Sequence, residues 1–426
     1  MEIRLDYGEG DLKVDVDEKN IIHLLEKDPV PVLDDLEKRF LRGFKKPIGS
    51  PALKELISGK KKICIVISDS TRAVPTDIIL GQLLKEIESY GIKRDAITIL
   101  VATGLHRPNT EDELKRMVGA DIVKNYRIIN HDARDRSSCE HIGKTKRGTP
   151  IIIDRVYTES DFRILTGLIE PHFMAGFSGG RKAICPGISY MDMFKHFHGP
   201  AILESPMSAN AVLKGNPFHE ESTEIAKMAG VDFIVNVTIN KNKQVTGIFC
   251  GDLEKAFYAG ADFCGKNSIY DIDREADIVI TSAGGYPLDC NLYQSVKGMV
   301  GAMPAVRDGG MIIIAAKCVE EIGSEEFVEL ITGEEDLDSF MKKISDPGFF
   351  IIDQWELEML VKARKKAEIY LYSDCLGKCD YSIPQSTLVR IDSIEEAINI
   401  GLEKYGSNAA ISVIPEGPYT IPVLKK

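Results

Sequence analysis

Short, unbroken apolar runs alternate with amphipathic stretches along this chain. Lys62–Ser68 (KICIVIS) is β-branched and continuous, the pattern of a strand buried on both faces. Pro75-Thr76-Asp77 then opens an amphipathic stretch that predicts a helix to about Tyr90, where Gly91 stops it. Residues 96–102 (AITILVA) predict the next strand, Thr110 to Val118 the next helix, and residues 161–167 (DFRILTG) a third strand. From about Asp271 the alternation restarts. Residues 276–281, 310–316 and 368–372 predict strands, with helices expected near residues 292–306, 325–332 and 355–366. Such alternation predicts an α/β fold of two domains, each with a mainly parallel sheet flanked by helices. The charged segment 266–275 shows no apolar pattern and separates an expected N-terminal domain, 1–265, from a C-terminal domain, 275–410. The placement of the 411–426 tail stays open, and a return to the first domain is one option. No internal repeat is apparent.

Composition narrows the class. The 426 residues exceed what one ordinary core holds, and 44% hydrophobic with 28% charged residues fits a globular protein. Apolar runs such as residues 311–316 fall far short of the roughly 20 residues a membrane helix needs. The N-terminus lacks a basic stretch followed by an apolar one, so no secretory signal is expected. The net charge of -12 argues against a general nucleic-acid binder. The nine cysteines are scattered, and the closest pair, Cys375 and Cys379, is a C-x-x-x-C. Reduced thiols in a cytoplasm are expected, without a disulfide framework or structural zinc.

Ligands of open parallel sheets bind beyond the carboxyl ends of the strands. Three loops at such predicted ends are rich in polar chemistry: Asp69-Ser70-Thr71-Arg72, Thr103-Gly104-Leu105-His106-Arg107-Pro108, and Glu170-Pro171-His172 running on to Gly179-Gly180-Arg181-Lys182. Singly, each has an ordinary reading. A lone histidine can bond a turn carbonyl, Arg72 can serve a structural ion pair, and glycine pairs are common in turns. Gly179–Lys182 could still bring backbone N–H groups to an anion, although its spacing is not that of a P-loop. His196-Phe197-His198 is the strongest metal-ligand candidate, with only one of the pair expected to face a site if the segment is helical. His23 and His219 fall in polar, helix-like surroundings, and His131 and His141 in a charged stretch that predicts solvated rings. Farther on, Tyr293, Gln294 and Lys297 share a face near a predicted helix start, which suits a carboxylate.

These residues together resemble the nickel-dependent lactate racemase family. The likeness runs in order through Ser68–Arg72, Ala102–His106, Pro171-His172, Gly179–Lys182, His196/His198, Tyr293–Lys297 and Trp355, the only tryptophan. The resemblance implies a nickel-pincer nucleotide, a pyridinium mononucleotide with two sulfur-bearing groups, covalently attached at Lys182. It implies His198 as the nickel ligand, and Asp69, Ser70, Thr71 and Arg72 as nucleotide contacts. It also implies His106 and His172 as paired acid/bases, and Arg72, Tyr293, Gln294, Lys297 and Trp355 as substrate contacts, in an active site at the interdomain cleft. Cofactor-synthesis proteins are the implied partners.

The chemistry is coherent. The C–H beside a carboxylate is too weakly acidic for a side-chain base, whereas hydride removal to an electrophilic cofactor leaves a 2-keto acid. A histidine with a pKa of about 6.5 can take the hydroxyl proton and return it. A racemase needs one such base for each hand. The expected activity is racemisation of a 2-hydroxy acid, most simply lactate. The alternatives are another 2-hydroxy acid (malate-like, aromatic or sugar acid), a non-catalytic carrier of the nickel nucleotide, and a hydrolytic metalloenzyme built on His196/His198. A carrier would not need both His106 and His172, and the hydrolase lacks a three-ligand set.

Overall fold

The structure is a computed structural model and describes residues 1–26, 29–334, 336–346, 348–376 and 382–425. Cys379, and so the spacing it shares with Cys375, lies outside the described residues. The described cysteines are free thiols.

The fold is α/β and divides into two compact units. The first comprises residues 29–170 and 174–267. Its six-stranded sheet runs in the order Val245–Gly251, Phe233–Ile239, Phe162–Leu168, Ile63–Ser68, Ile97–Ala102 and Arg127–Asn130. All neighbours are parallel except Val245–Gly251, which returns antiparallel beside Phe233–Ile239. The side-chain oxygen of Asn240 makes that return possible, accepting from the N–H groups of Asn242 and Gln244 at 3.0 Å each. Helix Thr76–Ser89 forms the crossover after the Ile63–Ser68 strand and buries Ile79, Leu80, Leu83, Leu84 and Ile87. Those positions recur at helical spacing and join the strand side chains in one core. Thr110 and Glu113 form a reciprocal capping box at the start of helix Glu111–Val118, which Gly119 ends.

The second unit comprises residues 1–28, 171–173 and 268–426. Its sheet is wholly parallel, in the order Val389–Ile391, Ala367–Tyr372, Val306–Ala315, Ala276–Ser282, Ile411–Ile414 and Ile21–Leu24. Alternation sorts its side chains onto two faces. Ile278, Ile280, Met311 and Ile313 join one core, and Val279 and Ile312 join the other. Both sheets are the parallel, helix-flanked type that the apolar runs predict.

The ends of the chain differ from the sequence reading, which ran the first domain from residue 1. The hairpin Glu2–Tyr7 with Gly10–Asp15 places Ile3, Leu5, Val14 and Val16 in the second unit's core. Ile21–Leu24 is that unit's edge strand, so His23 sits on a strand, not in helical surroundings. The tail belongs here too. Ile411–Ile414 enters the sheet, and Ile421–Leu424 pairs with Ile269–Ile272, a strand within the charged 266–275 segment. The helix expected to reach Val306 ends at Ala302. A turn through Pro304 follows, and the next strand begins at Val306 instead of Gly310.

Leu5 is fully buried although it lies far in sequence from most of its core neighbours. Leu5→Ala is expected to destabilise the second unit by about 2–4 kcal/mol, read as a lower urea midpoint. An unchanged midpoint would mean that the N-terminal hairpin does not contribute to that core.

Candidate active site

In the first unit, Asp69 follows directly on strand Ile63–Ser68, and its carboxylate is buried. His106 Nδ1 lies 2.7 Å from Asp69 Oδ2, and the Thr71 hydroxyl donates to Oδ1 at 2.8 Å. Burial alone would raise the Asp69 pKa. The His106 charge and hydrogen bond, with Arg72 and Thr71, outweigh it and hold the carboxyl below its ordinary range. Asp69 is therefore an anionic anchor that fixes His106 through Nδ1 and leaves Nε2 for other partners. His106 also sits in a turn closed by its N–H on the Thr103 carbonyl at 3.0 Å. Ser70, Thr71 and Arg72 are half-buried beside the anchor.

The glycine loop follows strand Phe162–Leu168. Gly179 has φ 86°, and an added Cβ would lie 2.9 Å from both Asn236 Oδ1 and Ile169 Cγ1, so no side chain fits. The next N–H, of Gly180, donates to Asn236 Oδ1 at 2.8 Å. Arg181 turns inward: its guanidinium donates to the carbonyls of Ala175 (2.8 Å) and Gly179 (3.3 Å) and lies 4.3 Å from the centre of the Phe257 ring. Burial lowers its pKa to about 9, which still leaves it charged near neutrality. Arg181 thus braces the loop from beneath, and Lys182, half-buried, is the cation the loop presents.

The Lys182 ammonium lies 5.0 Å over the centre of the Phe218 ring. The same ring meets His198 edge-on at 5.1 Å. His198 is also stacked on Phe194 at 5.3 Å and touches Phe197 at 4.7 Å. Burial, and after it the Lys182 charge, keeps the His198 pKa well below its ordinary value, so the ring is uncharged at neutral pH. Helix Phe194–Phe197 separates the two candidate ligands: His196 faces solvent and His198, which ends the helix, is buried.

In the second unit, Asn291 caps helix Leu292–Ala302 by accepting from the Gln294 N–H at 2.9 Å. The buried Lys297 donates to Gln294 Oε1, which turns the amide NH2 of Gln294 away from the lysine. Trp355, on helix Gln354–Lys366, donates its indole N–H to the Tyr293 hydroxyl at 3.0 Å. His172 is grouped with this unit, where it is buried and stacked on Phe173 at 5.1 Å. The predicted residues therefore form two sets. Asp69–Arg72, His106, Lys182 and His198 belong to the first unit, and His172, Tyr293, Gln294, Lys297 and Trp355 to the second. Among the described residues, no three or more His, Cys, Asp or Glu side chains are gathered as a metal site.

His131 also departs from its sequence reading. His131 is buried instead of solvated, with Nδ1 2.8 Å from Asp154 Oδ2 and Nε2 3.1 Å from the Ser189 carbonyl. Its own carbonyl accepts from the Thr103 hydroxyl at 2.7 Å, which ties it to the loop that carries His106. Phe218 was also missed. A lone phenylalanine after Asn216-Pro217 carries no sequence signal for contact with both Lys182 and His198.

Comparison with known proteins gives one answer over the whole chain. Residues 7–211 match the family model of the lactate racemase N-terminal domain, and residues 272–421 that of the C-terminal domain. A lactate racemase of Thermoanaerobacterium thermosaccharolyticum is 36% identical over 419 residues, covering 97% of each protein. One from Lactiplantibacillus plantarum is 35% identical over 421 residues, covering 97% of this chain and 98% of that protein. The structure of the T. thermosaccharolyticum lactate racemase apoprotein superposes with a TM-score of 0.91 at 34% identity, covering 100% of both chains. A Thermotoga maritima protein, 19% identical with a TM-score of 0.70 over 91% of this chain and 98% of its own, shares the fold. The chain belongs to the lactate racemase family and is an isomerase.

His131→Ala would leave buried Asp154 Oδ2 without its imidazole partner, with the Val156 N–H still on Oδ1. A loss of about 1–3 kcal/mol is expected, measured by thermal melting. A wild-type melting temperature would show that the His131–Asp154 pair does not hold the fold.

Proposed function

We propose that this racemase interconverts D- and L-lactate, using a nickel-pincer nucleotide attached at Lys182 and His106 and His172 as paired acid/bases. The observation that carries the reading is the placement of Lys182 and the uncharged His198 against one ring, Phe218. A neutral imidazole has the lone pair a metal ligand needs. The absence of a protein-only ligand cluster among the described residues fits a metal held mostly by its own nucleotide. Gly179 and Gly180 pack so closely on Asn236, Ile169 and Phe257 that a Cβ would clash, which fixes the loop that carries Lys182. The donor set therefore fits the group, with Lys182 as its tether, His198 as the protein ligand and Ser70, Thr71 and Arg72 as contacts to the nucleotide. Asp69 bonds Thr71 of its own loop through Oδ1 and His106 of the next loop through Oδ2, so it orients His106 in addition to its place among the nucleotide contacts.

When bound, the cofactor would supply an electrophile able to accept hydride from C2 and return it. The chain's residues do the rest. His106, held through Nδ1 by Asp69, takes the hydroxyl proton of one enantiomer at Nε2 as the hydride leaves. The adjacent carboxylate stabilises the charged ring that results. His172 does the same for the other enantiomer. In the second unit, Lys297 and the amide NH2 of Gln294 would grip the substrate carboxylate; in the first unit, Arg72 is the further substrate-binding cation. The keto acid stays bound while it presents its other face. Trp355 and Tyr293 line the side-chain pocket, and no added cation among these residues calls for a second carboxylate. A methyl substituent is the simplest occupant.

Protein isolated together with its cofactor-making partners should carry an adduct on the Lys182 peptide and stoichiometric nickel. His198→Ala should lose the nickel. His172→Ala should keep adduct and nickel while racemisation, followed by chiral chromatography, falls roughly 10²–10⁴-fold. A fully active His172→Ala enzyme would end the two-base account. Asp69→Asn should lower kcat far more than it changes KM, and equal effects on both would remove the orienting role.

A further inference from the structure

Asp353 has a geometry that no role described so far explains. It stands at the N-cap of helix Gln354–Lys366, yet its side chain makes no capping bond. An aspartate there ordinarily accepts from the N–H groups of the first turn. Its backbone is left-handed, with φ 67°, a region that L side chains rarely adopt. The side chain is buried and engaged elsewhere. The Ser324 hydroxyl donates to Oδ2, and the Tyr293 hydroxyl bonds the same carboxylate.

The direction of every bond in this chain is fixed. An indole N–H can only donate, so the Tyr293 oxygen accepts from Trp355. A carboxylate can only accept, so the Tyr293 hydroxyl donates to Asp353. The relay runs from Trp355 to Tyr293 to Asp353, with Ser324 donating from the far side. Ser324 is itself held, because its oxygen caps helix Glu325–Gly333 by accepting from the Phe327 N–H at 3.1 Å. Phe327 meets the Tyr293 ring edge-on at 5.2 Å. A Cβ at Gly323 would lie 2.9 Å from the Tyr293 Cβ, so the backbone presses directly on the tyrosine. The polar tip of Tyr293 is thus drawn into the protein and holds the indole of Trp355 in one position.

We propose that Asp353 is a specificity-determining positioning residue: through Tyr293 it fixes Trp355, and so sets the size and apolar character of the pocket for the substituent on the substrate's C2. The inference rests on the proposed function, in which Trp355 lines that pocket. The strained backbone and the unused cap are what a residue shows when it is held for a contact outside its own helix. With Asp353 in place the indole is fixed and a methyl group fits. Without it the indole can swing and a longer chain is admitted.

Trp355 is the only tryptophan, so its fluorescence reads the relay without any cofactor. Asp353→Gly keeps the left-handed backbone free of strain and removes the acceptor. Asp353→Asn also tolerates that backbone and retains one acceptor oxygen. In the apoprotein, Asp353→Gly should move Trp355 emission to longer wavelength, and Asp353→Asn should move it less. In holoenzyme, the ratio of kcat/KM for 2-hydroxybutyrate to that for lactate should rise roughly tenfold in Asp353→Gly, the scale of discrimination for one methylene. Asp353→Asn should restore most of it. If Asp353→Gly does not fold, the same two readings on Asp353→Asn decide the matter, with small shifts in the same directions expected. Wild-type emission and a wild-type ratio in a folded variant would overturn the proposal. A wild-type holoenzyme that racemises neither acid would overturn the reading of the site itself, a different result from a racemase whose selectivity ignores Asp353.

Discussion

Parallel neighbours in a sheet need a crossover between them, and the crossover brings their carboxyl ends to the same edge. That constraint organises both units of this racemase. In the first, strands Ile63–Ser68 and Ile97–Ala102 deliver Asp69 and the His106 turn side by side. The two meet in a carboxylate–imidazole bond of 2.7 Å. In the second, the carboxyl ends of Ala276–Ser282 and Val306–Ala315 lead into the segments that seat helix Leu292–Ala302. The N–H groups of Leu292 and Tyr293 donate to the carbonyls of Glu321 and Ile322 at 3.0 and 2.9 Å. The sheets make the edges, and the loops at those edges carry the chemistry.

Charge is handled differently at each point. Asp69 is buried but kept anionic by an adjacent histidine and arginine. Arg181 is buried and kept cationic by backbone carbonyls and an aromatic face. His198 is buried among Phe194, Phe197 and Phe218 and kept neutral. An anion to orient a base, a cation to brace a loop and a neutral ring to bind a metal are three environments that the lactate racemisation proposed here would use together.

Much of this was legible in the sequence. The β-branched runs at residues 62–68, 96–102 and 161–167 mark strands to within a residue or so, because buried parallel strands need continuous apolar side chains. The polar loops were visible because they interrupt that pattern at the strand ends. Long-range pairing was not legible. Nothing local in Ile21–Leu24 says that it will lie beside Ile411–Ile414, and the first residues were therefore given to the wrong neighbours. His131 sits among charged residues in sequence, yet its ring is buried by Asp154 and Ser189, which arrive from elsewhere in the fold. The left-handed backbone of Asp353 has no signature in a run of ordinary helix-forming residues.

The central claim is that hydride leaves C2 and returns to the same carbon without entering water. L-Lactate deuterated at C2, racemised in ordinary water by the holoenzyme, tests it directly. The account predicts D-lactate that keeps its deuterium, together with a slower rate than for the protiated acid. D-Lactate with hydrogen at C2, washed in from solvent, would mean that a side-chain base removes a proton there, and would contradict the account.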